Sequence, residues 1–131
     1  MIPVLNKIDH VHIYVPERDV AAEWYKQNLG FSIIKEFEFW AEHPGGPLTI
    51  SHGEVHLALF KRDRESKTEV AFGVSGEDFL QWKTHLEKLE ILDRCNDHGK
   101  AWSLYFRDPY ENHFEITTYD HDFIVSNSSL K

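Results

Sequence analysis

Apolar and polar residues alternate through IDHVHIYV (residues 8–15), and the pattern then switches to helical spacing in RDVAAEWYKQNLG (18–30). Alternation puts successive side chains on opposite faces of a strand, whereas apolar residues three and four apart line one side of a helix. Val20, Ala21, Trp24, Tyr25 and Leu29 form such a stripe, and Gly30 follows as a stop signal. Strand-like text resumes in FSIIKEFEFW, PLTISHG and EVHLALF. The same order then recurs. KTEVAFGV leads into SGEDFLQWKTHLEKLEIL, where Ser75 is the cap candidate and Phe79, Trp82, Leu86 and Leu89 form the stripe; LDRCND, AWSLYFRD and NHFEITTY follow as strands. The chain therefore reads as α+β, one domain over 1–131 made of two βαβββ modules, at about 6–62 and 66–120. Pro44-Gly45-Gly46-Pro47 reads as a turn or a loop able to act as a lid. The polar end, 121–131, is expected to fray unless Phe123 and Ile124 dock on a partner subunit.

Within this repeat, His10 is followed 59 positions later by Glu69, and His56 is followed 59 positions later by Glu115. Alternation places His10, His12 and Tyr14 on one strand face, and Glu115 with His113 and Thr117 on another. A carboxylate in the middle of an apolar strand costs several kcal/mol to desolvate unless a cation or hydrogen-bond donors meet it. Few Lys or Arg residues stand at inward strand positions to do so. Two imidazoles and two carboxylates make a divalent-metal set, and mixed N and O donors suit Zn²⁺, Ni²⁺, Mn²⁺ or Fe²⁺. The competing reading leaves each of these residues on a wet sheet face. Trp24 and Trp82 are expected in the core.

Composition narrows the partners. A net charge of −8 opposes binding to nucleic acid, and the basic cluster KRDRESK at 61–67, which carries acids, reads as a solvated linker. No apolar run approaches the ~18 residues of a membrane span. The opening MIPVLNKIDH lacks the basic start and apolar middle of a signal peptide, and the single cysteine, Cys95, has no internal partner, so a cytoplasmic location is expected.

DHVHIYVPERDVAAEWYKQNLGF resembles the opening of the vicinal oxygen chelate superfamily, which includes glyoxalase I, fosfomycin resistance proteins, bleomycin resistance proteins and extradiol dioxygenases. SLYFRDPYENHFEI is similar to its closing signature. The resemblance covers roughly residues 7–119. It implies paired modules curled into a cup-shaped mixed sheet around a divalent metal, commonly in a homodimer, with the metal holding adjacent oxygens of a small-molecule substrate. It matches His10 to the first-strand histidine ligand and Glu115 to the last-strand glutamate. Glu69 stands where many members have a second histidine, which weighs against a dioxygenase. His56 falls near a glutamate ligand of glyoxalase I, with Ala58 on the same face as the alternative register. Tyr105 matches a tyrosine that touches substrate. Cys95 and Ile124 replace basic residues of fosfomycin proteins, which disfavours that activity. Asp97-His98-Gly99 is similar to a segment of dioxygenase-like members, so His98 is a candidate acid or base beside its reading as a turn residue. His12 faces the same way as His10 and is assigned to the substrate pocket.

These readings lead to a metal-dependent enzyme of isomerase or lyase type, with Glu69 and Glu115 also as proton-transfer candidates. The alternatives are a ring-cleaving dioxygenase and a metal-free binding protein of the bleomycin-resistance kind. The last would use acidity and the aromatics Phe39, Trp40 and Trp102 to hold a cationic drug.

Overall fold

A computed structural model describes residues 1–62 and 68–129. The chain divides into two compact units, residues 1–66 and 67–131, and each is a βαβββ module.

The first module runs β1 (Val11–Val15), α1 (Arg18–Leu29), β2 (Ser32–Ile33), a 3-10 helix (Lys35–Glu42), β3 (Leu48–His52) and β4 (Val55–Lys61). Its open sheet has the order β1-β4-β3-β2, with β1 parallel to β4 and the other pairs antiparallel. The helical crossover from β1 to β2 makes the parallel pair possible, because parallel neighbours cannot be joined by a tight hairpin. Ile13, Val15, Ile50, Leu57 and Leu59 are buried on one face of this sheet, and Ala21, Ala22, Tyr25 and Leu29 are the buried residues of α1. Each Val, Ile or Leu side chain among these contributes roughly 1.5–3 kcal/mol on full burial. Helix α1 ends as expected: Gly30 takes φ 78°, and its N–H donates to the Lys26 carbonyl. Val20, expected in the apolar stripe, is instead 63% exposed, and Ala22 takes the inward place.

FSIIKEFEFW is not one strand. Only Ser32–Ile33 pair, and Lys35–Glu42 wind into the 3-10 helix. In a 3-10 helix residues i and i+3 eclipse, and Phe37 and Trp40 stack with centroids 4.7 Å apart. Arg18, at the start of α1, holds the end of this segment by donating to the carbonyls of Ala41 (3.0 Å), His43 (3.3 Å) and Gly46. The Pro-Gly-Gly-Pro run is thus tied to α1.

The second module runs β5 (Glu69–Gly73), α2 (Gly76–Lys88), β6 (Leu92–Asp97), β7 (Trp102–Arg107), β8 (His113–Thr118) and α3 (His121–Asn127). Its sheet repeats the order, β5-β8-β7-β6, with β5 parallel to β8. Ser75 caps α2 by accepting the Asp78 N–H at 3.2 Å. Phe79 and Leu86 are buried from α2, and Leu104, Phe106, Phe114 and Ile116 from the sheet, while Trp82 is only partly covered. Of the end expected to fray, His121–Asn127 form α3, and residues 130 and 131 lie outside the described residues. Ile124 is buried, Asp120 accepts the Gly76 N–H at 2.7 Å, and Phe123 lies where a side chain at Gly76 would stand.

The expected linker, KRDRESK, overlaps residues 63–67, which lie outside the described residues. Of its remainder, Lys61 closes β4 and Arg62 lies 4.3 Å over the Tyr14 ring. Among the described residues no helix is long and apolar enough to cross a membrane.

Candidate functional site

Helix α2 covers one face of the second sheet, and the chemistry is on the other. Strand register aligns Arg94 with Tyr105 and Tyr105 with Glu115, so these three form a row across β6, β7 and β8. The adjacent row holds Ser103 and Thr117. Ser103 donates to Glu115 Oε2 at 2.6 Å and Thr117 at 2.8 Å, with the two hydroxyls 3.1 Å apart. Burial pushes the Glu115 carboxyl up, but the Ser103 and Thr117 donors, with His98 and Tyr105 nearby, outweigh it and hold the group below its ordinary value. Glu115 is therefore an ionised carboxylate at neutral pH, anchored at one oxygen.

Tyr105 extends this arrangement. Its hydroxyl is 2.8 Å from His98 Nε2, and the Arg94 guanidinium lies 4.1 Å over its ring. His98 lies in the connection between β6 and β7, with its ring aimed at Tyr105. An open concavity of about 530 Å³ is lined by Glu69, Asp93, Arg94, Tyr105, Arg107, His113 and Glu115, together with Val70, Ala71, Phe106 and Phe114. Arg107 is ion-paired to Asp93 (3.0 Å) and Glu111 (2.8 Å). Alternation had set Thr117 on the face of Glu115, but Arg94 and Ser103 were not singled out from the sequence. Alternation alone does not reveal Arg94, because a register shift between Leu92 and Arg94 decides which β6 residue meets Tyr105.

In the first module, His12 and Tyr14 share the face turned away from Ile13 and Val15. His10 precedes β1 rather than lying within it. Its Nδ1 is 2.9 Å from Asp9 and its Nε2 is 3.0 Å from His12 Nε2. The Asp9 carboxyl is lowered chiefly by that hydrogen bond to His10. With Nδ1–H given to Asp9, the Nε2 lone pair of His10 is the one available to a ligand or to the His12 N–H. His12 packs on Phe60 at 4.5 Å. Ala58, level with His12, is buried, whereas His56 is partly exposed.

The constant 59-residue offset does not survive in the strand pairing. Val11 pairs with Leu57, 46 positions on, and Val70 pairs with Phe114, 44 positions on. If His10 corresponds to Glu69, pairing makes Ala58, not His56, the counterpart of Glu115, and His56 the counterpart of His113. The two modules differ by two residues between their parallel strands, which the sequence period conceals. Trp102, counted among the aromatics that could hold a cationic drug, is only 2% exposed and stacks on His121.

The donor types present, imidazole and carboxylate, suit a divalent ion. Glu69 and Glu115 line one concavity, and His10 and His12 touch. Within neither module, among the described residues, do three His, Cys, Asp or Glu side chains gather closely enough to hold an ion.

The profile of the Glyoxalase/Bleomycin resistance protein/Dioxygenase superfamily matches residues 7–116. No curated protein matches. Among solved structures, a glyoxalase family protein from Bacillus anthracis superposes with a TM-score of 0.74 at 21% identity, over 91% of this chain and 99% of that one. A lactoylglutathione lyase from Agrobacterium tumefaciens gives 0.72 at 21% identity, over 89% and 96%. A fosfomycin resistance protein from Listeria monocytogenes gives 0.67 at 12% identity, over 88% and 94%. Identities this low establish a shared fold and no shared activity. Two βαβββ modules with open mixed sheets and a profile match over most of the chain place this protein in the Glyoxalase/Bleomycin resistance protein/Dioxygenase superfamily.

Proposed function

We propose that the chain is a metal-dependent enzyme of the glyoxalase-like class, acting as a homodimer on a small oxygen-rich or aromatic substrate by isomerase or lyase chemistry. The observation that carries this reading is Glu115: an ionised carboxylate, fixed at one oxygen by two hydroxyls, facing an open concavity beside Tyr105 and His98. The donors we assign to the ion are His10, His56, Glu69 and Glu115. A bound divalent ion would supply Lewis-acid polarisation of substrate oxygen. The Tyr105 hydroxyl, backed by His98 Nε2, is placed to donate a hydrogen bond to an oxygen that gains negative charge. Glu69, at the open start of β5, can take and return a proton at a carbon next to that oxygen. Glu69 in place of histidine weighs against ring-cleaving oxygenation.

The test is elemental analysis and metal titration of protein purified without affinity metal, with Glu115→Gln in parallel. Near-stoichiometric metal in the parent and its loss in the variant are expected. Assays of thiol-adduct isomerisation and catechol cleavage with the metal found then divide lyase from oxygenase. A parent that takes up none of Zn²⁺, Ni²⁺, Mn²⁺ or Fe²⁺ overturns the reading. One observation favours a metal-free binder instead: Phe39 and Trp40 are exposed, and Trp40 stacks on Phe37. Such a binder would hold an aromatic cation with an affinity that chelators leave unchanged.

A further inference from the structure

We infer that Arg94 is the anion-binding residue of the second module's concavity and that the substrate carries a carboxylate. The inference rests on the reading of that concavity as the substrate site. Two arginines line it, and their circumstances differ. Arg107 is neutralised by Asp93 and Glu111. Arg94 is exposed, has no carboxylate within ion-pair distance among the described residues, and is held over the Tyr105 ring. An arginine seated on an aromatic face gives up little conformational freedom when it binds a second group, since its position is already restricted.

Register supplies the geometry. Arg94, Tyr105 and Glu115 occupy one row across three adjacent strands. Neighbouring strands are about 4.8 Å apart, so the ends of the row are roughly 10 Å apart at the backbone. A small carboxylic acid of a few carbons, anchored by its carboxylate at Arg94, would lie across the Tyr105 hydroxyl with its far end toward Glu115. The guanidinium fork matches a carboxylate with two parallel N–H donors. In a chain of net charge −8, an uncompensated arginine in an acid-lined concavity also selects orientation, because the carboxylate end of a substrate is repelled from Glu69 and Glu115.

The experiment uses chelator-treated full-length protein, so that metal loading plays no part. Binding of acetate, pyruvate, benzoate and mandelate is compared with binding of their amides by NMR titration, for the parent, Arg94→Gln, Arg94→Lys and Arg107→Gln. At least one carboxylate should bind the parent more tightly than its amide. Arg94→Gln should weaken that carboxylate roughly tenfold or more and leave the amide unchanged, with partial recovery in Arg94→Lys. Arg107→Gln should change little. Three results overturn the inference: no carboxylate preferred over its amide, equal weakening by both glutamine variants, or inorganic phosphate displacing every carboxylate at Arg94. Because metal is absent throughout, failure here is distinct from failure of the metal titration of Glu115→Gln.

Discussion

At the level of single residues, the Glu115 carboxylate depends on two short hydrogen bonds. Ser103 and Thr117 both donate to Oε2, and Ser103 is fully buried, so water cannot readily replace its hydroxyl. Ser103→Ala should therefore raise the Glu115 pKa toward or above the ordinary 4.5, a shift that NMR titration of metal-free protein reads directly. The sign for stability follows from linkage. A carboxyl held low in the fold stabilises it above the unfolded-state pKa, and the contribution disappears as pH falls through the folded value. The parent should accordingly lose stability in the acid range more steeply than Ser103→Ala, whose Glu115 contributes less at neutral pH. An unchanged titration in the variant would mean that Ser103 does not hold the carboxylate. Cys95 needs no such test for reactivity, since burial raises its thiol and keeps it protonated at neutral pH.

Among the elements, the 3-10 segment is the one that local patterning misreads. EFEFW alternates as a strand should, yet Ile34 N–H bonds to Thr49 and the chain then winds away from β3. What decides this is Arg18, seventeen residues earlier, which binds three carbonyls of residues 41–46. Such a long-range clamp leaves no mark on periodicity. By contrast, α1, α2 and strands β3 to β8 were legible because each carries its own signal: Gly30 and Ser75 at helix ends, and alternation in the strands. Helix α3 was missed because one buried residue, Ile124, docks it, too few for a visible stripe. Arg18→Met should cost about 1–3 kcal/mol in urea unfolding and expose 35–46 to proteolysis. Gly46→Ala should be comparably harmful, because its methyl would run into the Trp40 carbonyl. Cleavage of 35–46 at the parental rate in Arg18→Met would show that the clamp does not hold the segment. Ser75→Ala tests a different end of the fold and should cost about 1 kcal/mol through the lost cap.

For the whole molecule, the repeat gave the fold class away, but the site was legible only in part. Glu115, Tyr105 and His98 lie close together, whereas the equivalence of His56 and Glu115 depended on a period that the parallel strand pairs do not keep. A second consequence concerns assembly. Met1, Ile2, Val4, Leu5 and Ile8 are all exposed, in a segment with no regular structure that leads into β1, the end strand of its sheet. Five large apolar side chains within eight residues are costly to leave in water. If the proposed homodimer forms, burying them gives it a source of free energy, and an end strand offers unpaired backbone groups for a second chain to meet. The 15.4 kDa chain should therefore sediment at about 31 kDa, twice its own mass. Replacing Ile2, Val4, Leu5 and Ile8 together by serine should shift it to the monomer mass at micromolar concentration, without the loss of secondary structure that misfolding would bring. A parent that sediments as a monomer rules out the dimer. A tetra-serine variant that stays dimeric moves the interface away from this segment.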